Sequence, residues 1–175
     1  MVLFGHSMAI NRPDNQQERL DIVGWIVGFV DGEGCFSVSM IRNSTTSFGW
    51  QLFPEFVVTQ GEKSREALKL IHDHFQCGSI YLNRRSDNHR ESLLRYCVRS
   101  TRDLRLKIIP FFIQHPLRTA KQEDFEKFVA VLQLMENRRH QTIEGLQEAA
   151  RIIQSMNRKV PSRFLESSET TRQTS

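Results

Sequence analysis

The chain has 175 residues, 39% hydrophobic and 25% charged, with a formal net charge of +4 and a pI of about 9.2. That length suits one domain burying roughly 70% of its unfolded surface, and no apolar run approaches the ~20 residues that a membrane span needs. Cys35, Cys77 and Cys97 lie far apart, which argues against a disulfide framework or a CxxC zinc site and for a reducing compartment.

Residues 1–17 show no period and carry Pro13, so they read as an irregular arm without a signal or transit peptide. From Glu18 to Asp31, Leu20, Val23, Ile26, Val27 and Val30 recur at helical steps. Gly24, Gly28 and Gly32 fall four apart on the same helix. Each glycine costs a helix roughly 0.5–1 kcal/mol relative to alanine. A row of them on one face is expected only where another backbone comes very close. The helix ends in Asp31-Gly32-Glu33-Gly34, and a strand begins at once, Cys35 to Asn43, with Phe36, Val38 and Met40 on one face. The order delivers carboxylates to a helix tip, where a divalent metal and a phosphate could meet them.

After a polar turn at 43–47 comes a second strand, Trp50 to Gln60, with Leu52, Phe56 and Val58 inward. Pro54 removes one ladder donor and belongs at an edge or bulge. Ser64 to Phe75 reads as an amphipathic helix stopped by Gly78. Ser79–Arg85 and Leu93–Ser100 read as a hairpin. Thr101 is expected to cap a helix that Pro110 bends, Thr119 a second helix and Thr142 a last one. The folded domain is thus expected over 18–160. The tail 161–175, rich in Ser, Thr, Glu and Arg, reads as disordered. Between 84 and 107, Arg84, Arg85, Arg90, Arg95, Arg99, Arg102, Arg105 and Lys107 face only Asp87, Glu91 and Asp103. Such a cluster favours a polyanion, although a solvated basic surface would look the same. His72 and His74 sit two apart, off a common helical face, and do not read as a metal site.

Ile26-Val27-Gly28-Phe29-Val30-Asp31-Gly32-Glu33-Gly34 resembles the nine-letter motif of the LAGLIDADG homing endonuclease family, with Gly28, Asp31 and Gly34 identical and Val27 the largest departure. Phe56-Val57-Val58-Thr59-Gln60, Gly78-Ser79-Ile80-Tyr81 and the stretch from Pro110-Phe111-Phe112 to Asp124-Phe125 resemble later parts of the same family, so the likeness covers about 20–135. It implies an α+β fold of αββαββα type with a curved antiparallel DNA-binding sheet and added C-terminal helices. A single motif implies a homodimer, with Gly24, Val27 and Gly28 in its interface.

The resemblance also assigns chemistry. Glu33 matches the motif acid that binds metal, with the Gly32 carbonyl as companion and Asp31 either bracing the turn or supporting the metal site. The metal implied is Mg²⁺, with Mn²⁺ as substitute and Ca²⁺ binding without cleavage. A divalent cation activates water and clamps the attacking and leaving oxygens of a phosphodiester. A carboxylate at a helix C-terminus is unfavourable by a few tenths of a kcal/mol or more unless a cation answers it. Gln60 matches a residue ordering active-site water. Lys121 matches a basic residue near the cleaved phosphate, with Arg118 as its rival and Lys63 or Arg65 in reach. On the sheet, alternation gives the reading face as Ser37, Ser39, Ile41 and Asn43; Gln51, Glu55, Val57 and Thr59; and Tyr81, Asn83, Arg85, Arg95 and Arg99.

The expectation is a site-specific, intron-encoded double-strand DNA endonuclease acting on a long, partly palindromic target in a bacterial cytoplasm or an organelle. An RNA-binding maturase acting on intron RNA, or a DNA-binding regulator without catalysis, are the competing readings.

Overall fold

In the computed structural model, described over residues 15–83, 92–156 and 164–165, the chain begins with helix α1, Asn15–Glu33. It passes directly into β1, Gly34–Arg42, then β2, Trp50–Gly61. A short 3-10 turn leads to α2, Arg65–Phe75, followed by β3, Ser79–Asn83, and β4, Leu93–Val98. Helical segments α3, Thr101–Asp103, and α4, Ile109–Gln114, are joined by a π-helical turn, Leu104–Ile108. Helices α5, Lys121–Glu136, and α6, Ile143–Gln154, complete the fold. No helix among the described residues is long and apolar enough to cross a membrane.

The four strands form one antiparallel sheet in the order β1-β2-β4-β3. Period-two alternation puts Phe36, Val38, Leu52, Phe56, Val58, Leu94, Tyr96 and Val98 on one face, all buried among the helices. Phe36 is the hub. It is fully buried and meets Phe56, Phe112, Phe125 and Phe128 at ring-centroid distances of 5.0, 5.4, 5.1 and 5.5 Å. Each such aromatic pair adds about 0.5–1.5 kcal/mol beyond area burial. The hub thereby ties β1 and β2 to α4 and α5. Among the described residues the opposite face carries no helix.

The local signals shift in several places. Ser100, not Thr101, caps α3: it is extended at φ −63° and ψ 113°, and its hydroxyl accepts from the Asp103 amide at 3.2 Å. α2 stops at Gln76 in the left-handed region, φ 47°, whose amide returns to the His72 carbonyl at 2.7 Å; Gly78 opens β3 instead. Pro110 stands in the first turn of α4, where its missing N–H breaks no bond, and the wide π turn precedes it. Pro54 pairs with Val38 beyond the last β2–β4 pair, Phe56–Val98, so β2 is an edge there, as Pro54 requires. Thr119 precedes α5 by two residues and accepts from the Lys121 amide at 3.2 Å, while Ala120 holds the cap position. Thr142 caps α6 as expected, accepting from the Gly145 amide at 3.1 Å.

α1 begins at Asn15, inside the stretch expected to be an irregular arm. In the tail, Phe164 is buried and packs edge-on against Trp50 at 5.6 Å. An expected disordered segment therefore supplies this core residue, because a phenylalanine facing a half-buried indole removes apolar area from water whatever its polar neighbours are. Arg85 of the hairpin lies outside the described residues.

Candidate active site and nucleic-acid face

Glu33 is the last residue of α1, exposed at the junction with β1. The turn is tight: a methyl on Gly34 would sit 2.6 Å from Val30 Cγ1 and 2.8 Å from the Val30 carbonyl oxygen. Glycine at 34 is what allows the strand to start immediately after the acid. Asp31, one turn back from Gly34, faces the α4–α5 connection. Its carboxylate accepts from the Arg118 amide at 2.8 Å, the Thr119 amide at 3.2 Å and the Thr119 hydroxyl at 2.6 Å. Burial pushes its carboxyl pKa up, but the Thr119 hydroxyl and the two amides, with Lys121 nearby, outweigh that and leave it lowered. Asp31 is a brace between α1 and the start of α5.

Lys121 completes the junction. Its ammonium donates to the Val30 carbonyl at 2.9 Å and the Gly32 carbonyl at 3.2 Å, two of the acceptors that a helix C-terminus leaves open. Burial lowers its pKa, against which Cys35, Asp31, Glu33 and Asp124 pull upward. Between the two rival cations, Lys121 is the one whose side chain enters the junction; the Arg118 contact with Asp31 runs through its backbone amide. The register Gly34↔Val58 carries Gln60, half-buried at the end of β2, alongside the same junction. Arg65 pairs with Glu62 at 3.3 Å, in and just after the turn that follows β2.

The donors here are hard oxygens: the Glu33 carboxylate and the Gly32 carbonyl, the kind that Mg²⁺ and Ca²⁺ take. Among the described residues no group of three or more His, Cys, Asp and Glu gathers as a metal cage, and His72 and His74 form none. The Glu33 carboxylate and the Gly32 carbonyl are both ligands that a divalent cation accepts, and Lys121, which donates to the Gly32 carbonyl at 3.2 Å, would have to release it for the cation to take that oxygen.

The outer side of α1 is bare. A methyl on Gly24, Gly28 or Gly32 would meet nothing within 4 Å. Among the described residues no backbone comes close to this row. Trp25 is partly exposed and stacks on Phe29 at 4.9 Å. Val27 is half-buried against the core, so it borders the glycine face rather than forming it.

On the open face of the sheet the register forms rows. Ile41 stands opposite Gln51, Ser39 opposite Phe53 and Ser37 opposite Glu55. Cys35, Val57, Cys97 and Ser79 make the next row, and Thr59, Arg95 and Tyr81 the last. Asn43, just past β1, donates to Gln51 at 2.8 Å. Asn83 pairs with Leu93 at the end of β3. Val57 is on the expected face but only 5% exposed. Glu55 is the centre of a cluster. It accepts from Arg95 Nη2 at 2.9 Å, Arg99 Nε at 2.5 Å and the Cys97 thiol at 3.0 Å. Burial raises the Glu55 pKa, but Cys97, Arg99 and Arg95 outweigh it and hold the carboxyl below its usual range. Burial and then the carboxylate push the Cys97 thiol up to about 11. Phe53 and Cys97 are additions to the expected face. The same alternation that picks Gln51 and Glu55 picks Phe53, and it could have been found that way.

This is the αββαββα architecture, with one sheet face open and a glycine-faced helix ending in an acid at the sheet's end. The sequence profile of the LAGLIDADG endonuclease family matches residues 26–132, and the chain belongs to that family. It is 34% identical over 131 residues, 74% of its length, to a probable intron-encoded endonuclease of Neurospora crassa, of which it covers 24%. The crystal structure of a homing endonuclease, I-TnaI, superposes with a TM-score of 0.74 at 36% identity, covering 85% of this chain and 96% of that one. The I-SmaMI structure bound to uncleaved DNA target with calcium ions gives a TM-score of 0.73 at 32% identity, covering 81% of this chain and 47% of that one. The chain spans 24% to 56% of the length of the curated relatives it matches.

Proposed function

We propose that the chain is a site-specific, divalent-metal-dependent DNA endonuclease that cuts both strands of a long, partly palindromic target as a homodimer and is intron-encoded. The observation that carries this reading is the junction itself: an exposed Glu33 beside an open glycine row, with Lys121 at the same corner. Pairing of two copies along Gly24, Gly28 and Gly32 brings two Glu33 carboxylates together, one for each strand. Glu33 and the Gly32 carbonyl would hold the cation, Mg²⁺ or Mn²⁺ for cutting and Ca²⁺ for binding alone. When bound, such a cation activates water and neutralises charge on a phosphodiester. Lys121 presents a positive charge where the cleaved phosphate builds up negative charge. Gln60 offers an amide to orient water at the strand end. Asp31 acts by holding the α5 start, and with it Lys121, against α1. The open face, with Ser37, Ser39, Gln51, Thr59, Tyr81, Arg95 and Arg99, lies in the major groove.

The test uses the uninterrupted DNA that flanks the intron, with wild type and Glu33→Gln, in Mg²⁺, Ca²⁺ and EDTA. Specific double-strand cutting by wild type in Mg²⁺, lost in the variant while binding persists, is the expected result. Specific binding without cutting in any metal would overturn the nuclease reading and favour a DNA-binding regulator; splicing activity on intron RNA without cutting would favour a maturase.

A further inference from the structure

An acid in the middle of a surface meant for a polyanion needs an explanation, and Glu55 is such an acid. Two roles are open to it: reading a cytosine amino group directly, or holding other residues that read. A base-reading carboxylate must offer a free oxygen to the groove. Glu55 does not. Its side chain is only 14% exposed, one oxygen takes Arg95 Nη2, and the other takes both Arg99 Nε and the Cys97 thiol.

What the cluster does present outward is arginine. Arg99 binds Glu55 through Nε, and its Nη pair makes no hydrogen bond among the described residues. Its guanidinium lies 5.8 Å from the ring centroids of both Phe53 and Tyr81, within cation–π reach of each. A cleft of about 220 Å³, lined by Tyr81, Leu82, Arg95, Cys97 and Arg99, opens beside it. The Nη fork is the geometry that takes guanine O6 and N7 together. Arg95 and Cys97 stand on the inner strand β4, and Glu55 and Arg99 lie one residue beyond the last β2–β4 pair, Phe56–Val98, at the centre of the open face. Resting on the DNA-binding reading above, we infer that Glu55 is a positioning residue that clamps Arg99 as a guanine reader, with Arg95 as the second arm of the clamp, and that Glu55 itself reads no base.

The test is selection of bound sequences from a randomised duplex library by the full chain in Ca²⁺, with salt titrations of the selected target. Wild type should demand guanine at one position of each half-site. Arg99→Lys keeps the charge but not the planar fork. It should lose roughly ten- to a hundredfold of that preference with an unchanged salt slope. Glu55→Gln should weaken the same preference at the same position. Thermal unfolding of each variant checks that it is folded, and Arg99→Lys, which leaves Glu55 in place, decides the matter if Glu55→Gln is not. A change in preference from cytosine at a different position on Glu55→Gln would overturn the inference, because Glu55 would then be reading a base. So would a loss spread evenly over all sequences, with a salt slope smaller by about one, on Arg99→Ala, which marks a phosphate contact. If wild type selects no sequence at all, the DNA-binding reading falls first and this one with it.

Discussion

Asp31 and Glu33 stand two residues apart in one motif, yet their surroundings give them opposite roles, and Asp31→Asn separates them. The wild-type carboxylate accepts from two amides and a hydroxyl, at 2.8, 3.2 and 2.6 Å. An asparagine keeps one oxygen for the Arg118 amide and turns an NH₂ toward Thr119, whose hydroxyl must rotate to accept it. A hydrogen bond to a charged group contributes about 1.5–3 kcal/mol and a neutral one about 0.5–1.5. Arg118 and Thr119 are exposed, so water recovers part of the difference. The expected loss is about 1–2 kcal/mol, roughly 2–8 °C in Tm for a chain of this size. The pH dependence has a definite sign. A carboxyl whose folded pKa lies below its ordinary value of 3.8 stabilises the fold above that value, and the benefit is lost as pH falls through the lowered one. Thermal unfolding by circular dichroism at pH 7 and at successive steps below pH 4 should therefore show the wild-type advantage shrinking toward zero. A Tm at pH 7 equal to wild type, or a gap that stays constant into acid, would refute the brace. Glu33→Gln is the control: exposed at a helix C-terminus, it should leave Tm unchanged or raise it slightly.

Phe36→Ala removes the hub of the aromatic core and should cost about 3–5 kcal/mol, read from the urea midpoint. Tyr96 is buried and donates to the Cys77 carbonyl at 2.9 Å. Tyr96→Phe should cost about 1–3 kcal/mol in the same assay, since that carbonyl loses its partner. Gly28→Leu adds a side chain where nothing lies within 4 Å and removes a helix-weakening glycine. It should leave the monomer as stable or up to about 1 kcal/mol more stable while abolishing self-association in sedimentation; a variant that still forms dimers would dissociate the glycine row from pairing.

The helix, the strands and their faces were legible because period and alternation are local: Phe36, Val38 and Leu52 fall inward where the pattern puts them. The glycine row was legible for the same reason. Caps were misplaced by one residue where neighbours share the chemistry, as Ser100 and Thr101 do; only backbone angles distinguish them. The targets of Lys121 were not legible, because Val30 and Gly32 offer it backbone carbonyls, which carry no sequence signature. Glu55 was legible as a face residue but not as a clamp, because Arg95 and Arg99 lie 40 and 44 residues away and meet it only through strand register. Phe164 shows the limit of composition: one aromatic in a polar tail finds Trp50 regardless of the average around it.

The row across the open face holds two thiols with a valine between them: Cys35 and Cys97 each pair with Val57, from opposite sides. Two strand spacings separate them by about 10 Å, well beyond the ~7 Å limit for a disulfide. Oxidation therefore has no way to staple the first strand of the sheet to the third without tearing the register. Its reachable outcome is chemical change at a single sulfur. Cys97, 3% exposed and with its thiol pushed up to about 11, resists even that, so the proton it shares with Glu55, and with it the arginine pair, is protected on the open face.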